Sequence, residues 1–205
     1  QCGGGFCGPT PLTEMTDAAG WVHMTIRQPL KAERGQSLSF DCSRTDGPLS
    51  YTATAFASRI RDSVKVDVTD AYVMSNLPEP TTNVGAELLA TIRKGQLPGT
   101  ATYTYVRSRE LDGTVHLDVP LTPRQSVGLI GMWEAEKVGR VGMEWYYTGQ
   151  QRLEANPYRE SSVPYMLVGL LAEKWFGRLR VFLNGENLLN VRQTDWDPLL
   201  RPSRG

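Results

Sequence analysis

Between Arg178 and Asn184 the chain alternates polar and apolar residues one by one, with Leu179, Val181 and Leu183 set against Arg178, Arg180, Phe182 and Asn184. A period of two is the mark of a β-strand whose faces meet different surroundings. The same period recurs upstream. Leu38, Phe40 and Cys42 alternate with Ser37, Ser39, Asp41 and Ser43, and Tyr51, Ala53, Ala55 and Ala57 alternate with Thr52, Thr54, Phe56 and Ser58. Val84 to Ile92, Ala101 to Tyr105, Val127 to Trp133, Val141 to Tyr147 and Met166 to Ala172 each keep one apolar face. In the Val141–Tyr147 segment the opposite face is Gly142, Glu144 and Tyr146. The pattern predicts an all-β fold of about eight strands, each roughly 9–12 residues long, where soluble strands favour about 5–6. Tilted crossings of a bilayer need about 9–11.

The connections sort by parity. Those at 45–48, 95–98, 137–139 and 176–177 are short, and those at 61–81, 111–124 and 150–163 are long. Alternating tight turns and long loops is the plan of an antiparallel up-and-down meander in a transmembrane β-barrel, with short periplasmic turns and longer extracellular loops. The first long connection holds two further β-prone pieces, SVKVDV and AYVMSNL, expected to form a hairpin above the membrane. Residues 1–35 are rich in turn signals and are expected to be loop-like, residues 36–188 carry the barrel strands, and residues 189–205 are expected to be a truncated extracellular loop. Many tyrosines and tryptophans, Tyr103, Tyr105, Trp145 and Trp175 among them, fall near strand ends, where an amphipathic ring suits the headgroup level. The face opposite the apolar one carries Glu87, Arg93, Glu134, Glu144, Arg180, Asn184 and Glu186. A narrow closed barrel would have to pair every such charge, whereas a wide wet lumen tolerates them.

Composition narrows the function. In 205 residues, 22 lysines and arginines balance 22 aspartates and glutamates, so no basic excess suggests a nucleic-acid partner. A mean hydropathy of −0.34 and the lack of an apolar run of about 18 residues argue against a helical membrane protein, but not against a barrel. The first residue is Gln, as in a mature exported protein or a fragment. Cys2 and Cys7 have a spacing open to a small disulfide or a metal, but with no second ligand cluster following, both read as ordinary residues. Cys42 reads as a small apolar filler.

No motif for catalysis is present: His23 and His116 stand far apart in loop contexts, and nucleophile-elbow, phosphate-loop and zinc-binding patterns are all missing. The expectation is a non-enzyme without a cofactor or a resident metal. Recognition falls to loops on a rigid scaffold and to the lumen-facing side chains. The candidate ligand contacts are Arg107, Arg109, Arg152, Tyr158 and Arg159 in or beside long loops, and Tyr146, Arg180, Asn184 and Glu186 on the polar face. For any one loop residue, ordinary hydrated charge is the plainer reading.

The segment FLNGENLLNVRQTDWDPLLRP resembles the near-C-terminal signature of TonB-dependent outer-membrane receptors, F-x-N-x-E-N-L-x-N, matched here by Phe182, Asn184, Glu186, Asn187, Leu188 and Asn190. GPTPLTE at 8–14, LKAERGQSLSFD at 30–41, YTATAFASRIRD at 51–62, NLPEPTTNVGAELLA at 76–90, ATYTYVRSRE at 101–110 and VPLTPRQSVGLIGMWE at 119–134 are similar to the same family. The resemblance implies a barrel of about 22 strands plugged by an N-terminal domain. It implies import of an iron–siderophore complex or a cobalamin-like solute across the bacterial outer membrane, in contact with its lipid, with energy received from TonB through the plug. No plug, no TonB box and no closing aromatic strand are seen here, so the chain is expected to be a C-terminal portion of such a barrel. The alternative is a complete small eight-stranded outer-membrane barrel with a structural or adhesive role. A closed sheet joining strand 36–44 to strand 178–187 would favour that alternative. Covering of the Val141–Tyr147 face by other parts of the chain would favour a soluble β-protein.

Overall fold

The computed structural model describes residues 2–7, 24–26, 29–68, 72–154, 156 and 158–192. Every regular element among them is a strand: β1 (Cys2–Cys7), β2 (Met24–Ile26), β3 (Glu33–Asp46), β4 (Leu49–Arg61), β5 (Val64–Val68), β6 (Tyr72–Asn76), β7 (Thr81–Lys94), β8 (Leu97–Asp112), β9 (Val115–Asp118), β10 (Gln125–Ala135), β11 (Gly139–Thr148), β12 (Tyr165–Phe176) and β13 (Leu179–Gly185). The main sheet runs β1-β3-β4-β7-β8-β10-β11-β12-β13, with β9 paired to β8. The eight long strands are those the alternation predicts, in sequential meander order. The path ends on β1 and β13 without joining them, and that open order is not the small closed barrel.

Two compact units divide the chain. The first comprises Gln1–Ser39, Phe56–Val84 and Arg107–Val119, and the second Phe40–Ala55, Gly85–Val106 and Pro120–Gly205.

The second unit shows how residue identity sets the faces. Opposed residues in an antiparallel ladder share a face. Ala101, Leu129, Trp145 and Val168 stand in one row, and Gly131, Met143, Leu170 and Gly185 stand in the next. Trp133, Val141, Ala172 and Leu183 form a third. The four apolar sets read separately from the sequence thus fall on one face. It is uncovered: Leu129, Met143, Leu170 and Leu183 are 45%, 54%, 46% and 73% exposed. Ala135 and Leu153 are the only buried apolar residues among those described. Water does not tolerate a contiguous apolar face of this extent, and lipid does. The soluble reading therefore fails.

Three hairpin turns of this unit share a two-residue Gly-x loop: Gly47-Pro48, Gly95-Gln96 and Gly177-Arg178. Each glycine has positive φ (55°, 58° and 61°), the conformation that the first position of a type II′ turn demands. The fourth turn, 136–138, uses Lys137 at φ 63°. Turns are also tied to the strand beyond. Arg93 N–H donates to the Pro48 carbonyl, Glu134 N–H to Gln96 and Trp175 N–H to Val138, at 2.8, 3.0 and 3.1 Å.

At the exit of β13 the motif Glu186–Asn190 ends the ladder. Asn187 and Asn190 have φ of 48° and 50°, left-handed values that asparagine tolerates better than most residues. The last residues of this end, 193–205 with Trp196, lie outside the described residues.

In the first unit β5 and β6 form the expected hairpin, but β2 adds to it in parallel, making a separate three-stranded sheet. The N-terminal segment also differs from the expected loop. Cys2–Cys7 pairs antiparallel with β3, from Cys2 opposite Leu38 to Cys7 opposite Glu33. Glycines at 3–5 give no alternation to read, yet they extend readily beside a partner. Extended chain rises about 3.3 Å per residue, so the Cys2 and Cys7 Cα atoms stand roughly 16 Å apart, beyond the roughly 7 Å reach of a disulfide. Cys42 is exposed rather than a filler. It continues the apolar parity of Leu38 and Phe40.

Candidate functional site

The polar face of β10–β13 is built by the same registers as the apolar one. Glu134, Arg140, Glu173 and Phe182 form one of its rows. Glu173 is the hub. It accepts from Arg140 Nε at 2.9 Å, takes the Trp175 indole N–H, and has Arg180 Nη1 4.0 Å away. Arg180 also lies over the Trp175 ring, 5.0 Å from its centroid. The Glu173 side chain is only 8% exposed and that of Arg180 is 70% exposed. One cation is therefore held and the other presents its outer donors on the open polar face.

Tyr146 and Glu144 sit two residues apart on the same face, with the Tyr146 hydroxyl 3.3 Å from Glu144 Oε2. Tyr146 stands opposite Gly128. A Cβ at Gly128 would meet the Tyr146 ring at 3.3 Å and Thr102 Oγ1 at 2.7 Å. The Tyr146 ring packs against the glycine, in space that a Cβ would take. Asn184 Nδ2 donates to Glu186 Oε1 at 3.1 Å. Arg180, Tyr146, Asn184 and Glu186 are thus all turned to one side, as the alternation implies.

The connection between β11 and β12 is a tied loop. Arg152 bridges to Ser161, Leu153 N–H donates to Glu160 and Ser162 N–H to Gln151. Asn156 Oδ1 accepts the N–H groups of Tyr158 and Arg159 at 2.8 and 3.2 Å. This Asx turn presents the Tyr158 ring, which is 71% exposed. Arg152, Tyr158 and Arg159 therefore belong to one connection.

The first unit has its own polar network. Ser58 accepts from Asn83 Nδ2 at 3.0 Å, and Ser108 Oγ donates to Asn83 Oδ1. Lys65 ion-pairs Glu110 and Asp112 at 3.4 and 3.3 Å, with Lys65 and Glu110 nearly buried. Asn76 ties three segments, accepting Lys31 N–H and donating to the Lys31 and Asp62 carbonyls. A cleft of about 500 Å³ lies between them, lined by Lys31, Asp62, Lys65, Asn76, Leu111 and Asp112 among others. Of these, Lys65 and Asn76 escaped the sequence reading. A lysine alternating with valines in a β-prone piece gives no sign of where its charge will be met. Arg107 and Arg109 alternate along β8 with buried Ser108 and Glu110, so they turn away from this network. Among the described residues, no group of three or more His, Cys, Asp or Glu is placed to hold a metal.

A family model described as "TonB dependent receptor-like, beta-barrel" matches residues 11–188. The chain belongs to this family. As a TonB-dependent receptor barrel it lies in the bacterial outer membrane, and the family points to a transporter rather than an enzyme. A search of curated proteins finds no match.

Solved structures agree on the fold. A copper transporter, OprC, superposes with a TM-score of 0.73 at 14% identity, covering 94% of this chain and 31% of that one. The FrpB iron transporter from Neisseria meningitidis gives 0.63 at 16%, covering 82% and 29%. The ferric yersiniabactin uptake receptor FyuA from Yersinia pestis gives 0.66 at 14%, covering 80% and 26%. The chain thus spans about a third or less of the receptors it resembles. The uncovered apolar face of β10–β13 and the face of Glu173, Arg180 and Asn184 lie on opposite sides of these strands.

Proposed function

We propose that this chain forms part of the barrel of a receptor for active uptake of a siderophore- or cobalamin-like solute, with energy supplied by TonB through a plug domain and with outer-membrane lipid around the apolar face. The observation that carries the reading is the sorting of β10–β13 into an uncovered apolar face and a polar, ion-paired face on one set of long strands. A solute too large for simple diffusion needs a wide polar lumen, and a polar strand face is what would line one. Support for the solute class comes from structural relatives whose names give copper, iron, ferric-catecholate and ferric yersiniabactin transport. Arg180, Asn184, Glu186 and Tyr146 are the proposed lumenal contacts, and Arg152, Tyr158 and Arg159 are the proposed outer-loop contacts. The exposed fork of Arg180 and the ring of Tyr158 suit an anionic, aromatic or chelate-bearing ligand.

The test is uptake by the complete receptor in cells lacking their own receptors, with radiolabelled ferric siderophores and cobalamin supplied in turn. Uptake of at least one solute that disappears when TonB is deleted supports the reading. Uptake of none, or uptake indifferent to TonB, overturns it.

A further inference from the structure

Arginines and carboxylates separate by strand face in the first unit. Ser58, Asn83 and Ser108 are hydrogen-bonded across β4, β7 and β8, which fixes that side of the three strands. Alternation then turns Arg59 and Arg61 of β4, and Arg107 and Arg109 of β8, to the opposite side. Arg59, Arg61 and Arg107 are exposed, whereas Ser108 and Glu110, which alternate with Arg107 and Arg109 along β8, are buried. Along β4 the arginines follow Tyr51, Ala53, Ala55 and Ala57 in the same parity. Along β8 they follow Ala101, Tyr103 and Tyr105. The apolar face of each strand therefore passes through small or aromatic residues into arginine, at the end remote from the short turns.

β3 adds a fifth. The side-chain pairs Thr45–Ser50, Ser43–Thr52 and Asp41–Thr54 climb the β3–β4 hairpin in steps of two. Carried on, that register sets exposed Arg34 opposite Arg61. Like charges directly opposed in a ladder destabilise it. Yet none of these five arginines forms an ion pair among the described residues. Arg109 Nε is buried without a hydrogen-bond acceptor, although Asp118 stands opposite it in the β8–β9 ladder. Elsewhere in the chain the comparable cations are satisfied, as Lys65 is by Glu110 and Asp112 and Arg140 by Glu173.

We infer that Arg34, Arg59, Arg61, Arg107 and Arg109 form a binding site for the phosphate groups of anionic lipid headgroups at the outer edge of the lipid face. The inference rests on the membrane reading of the apolar face and not on the solute. β4 and β8 flank β7, so their arginines rise from backbones about 10 Å apart, close enough for two guanidinium forks to reach one phosphate. Guanidinium groups bind phosphate in a bidentate manner, and an anion between Arg34 and Arg61 would remove their repulsion. Tyrosine just below arginine is the order of groups expected in passing from hydrocarbon to headgroup.

The complete receptor, purified in detergent, is titrated with diphosphorylated lipid A and with the same lipid after removal of its phosphates, and bound lipid is counted by native mass spectrometry. Preference for the phosphorylated lipid is expected, and it should weaken with salt. Each basic side chain near an anionic surface is worth roughly fivefold in affinity. The double variant Arg59→Gln/Arg107→Gln should therefore lose on the order of tenfold or more, and Arg59→Lys/Arg107→Lys should keep most of the binding. Equal binding of the two lipids by the unaltered receptor overturns the inference, whatever the variants do. So does full displacement of the phosphorylated lipid by equimolar inorganic phosphate, which would assign the site to the free ion.

Discussion

Asn187 closes both backbone groups of Val191: its Oδ1 accepts the Val191 N–H at 2.9 Å and its Nδ2 donates to the Val191 carbonyl at 3.2 Å. Asn190 N–H returns to the Asn187 carbonyl, and Leu188 N–H crosses to Val168 on β12. The Asn-Leu-Leu-Asn break in the alternation is thus a clasp. It ends the β13 ladder with every donor named here satisfied, in the left-handed backbone that asparagine accepts. Asn187→Ala removes both side-chain bonds and strains the backbone, at a cost of about 1–3 kcal/mol. Hydrogen exchange at Val191 in the complete receptor should quicken by about tenfold or more, with little change at Leu170. Unchanged protection of Val191 would show that the clasp contributes nothing.

Glu173 holds two arginines and an indole, so its loss and theirs should differ. Glu173→Gln leaves Arg140 and Arg180 adjacent without their shared anion and should lower stability. Arg180→Ala removes a side chain that is 70% exposed and should cost under about 1 kcal/mol. Thermal unfolding of the complete receptor, followed by the shift between folded and unfolded bands on gels, should rank Glu173→Gln well below Arg180→Ala.

Two glycines on neighbouring strands give opposite expectations. A Cβ on Gly139, whose φ is 149°, would run into the Glu173 carbonyl oxygen, whereas a Cβ on Gly131 meets nothing within 4 Å. Gly139→Ala combines backbone strain with a clash that no side-chain movement relieves, a cost of about 2 kcal/mol or more. Gly131→Ala should be neutral within about 0.5 kcal/mol. Similar melting of the two variants would mean that the 136–138 turn is looser than described.

The long strands were legible because their two faces differ in kind, apolar on one side and polar on the other. Leu129, Met143 and Leu170 could be placed on one side from the alternation alone, and the ladder confirms it. The signal fades where hydrophobic contrast ends, though the strand itself goes on. β8 continues through Arg107, Ser108, Arg109 and Glu110 in the same alternation, now written in charge and hydroxyl rather than in hydropathy. Reading that stretch as a loop entrance hid the turning apart of the arginines and Glu110. The β1 pairing was hidden for another reason, since glycine has no side chain with which to mark a face. Nor could the Lys65 ion pairs be seen, because β5 and β8 meet only in the fold.

Charge placed on the two faces should be tolerated unequally. Met143→Arg puts a cation into lipid, at about 2–4 kcal/mol near the bilayer midplane. Leu171→Arg, on the opposite face of β12, should cost much less. Assembly of the complete receptor into the outer membrane should fall for the first variant and hold for the second, as measured by the folded fraction in membrane extracts.

The most direct measurement is the environment of single spin labels on adjacent residues of the complete receptor in its membrane. With labels at Leu129, Met143 and Leu170, relaxation should respond strongly to oxygen dissolved in lipid and weakly to a water-soluble nickel chelate. With labels at Ile130, Glu144 and Leu171, the response to oxygen should be weak. Labels that show no alternation between the two sets, or the reverse order, would contradict the assignment of β10–β13 to a barrel wall between lipid and lumen.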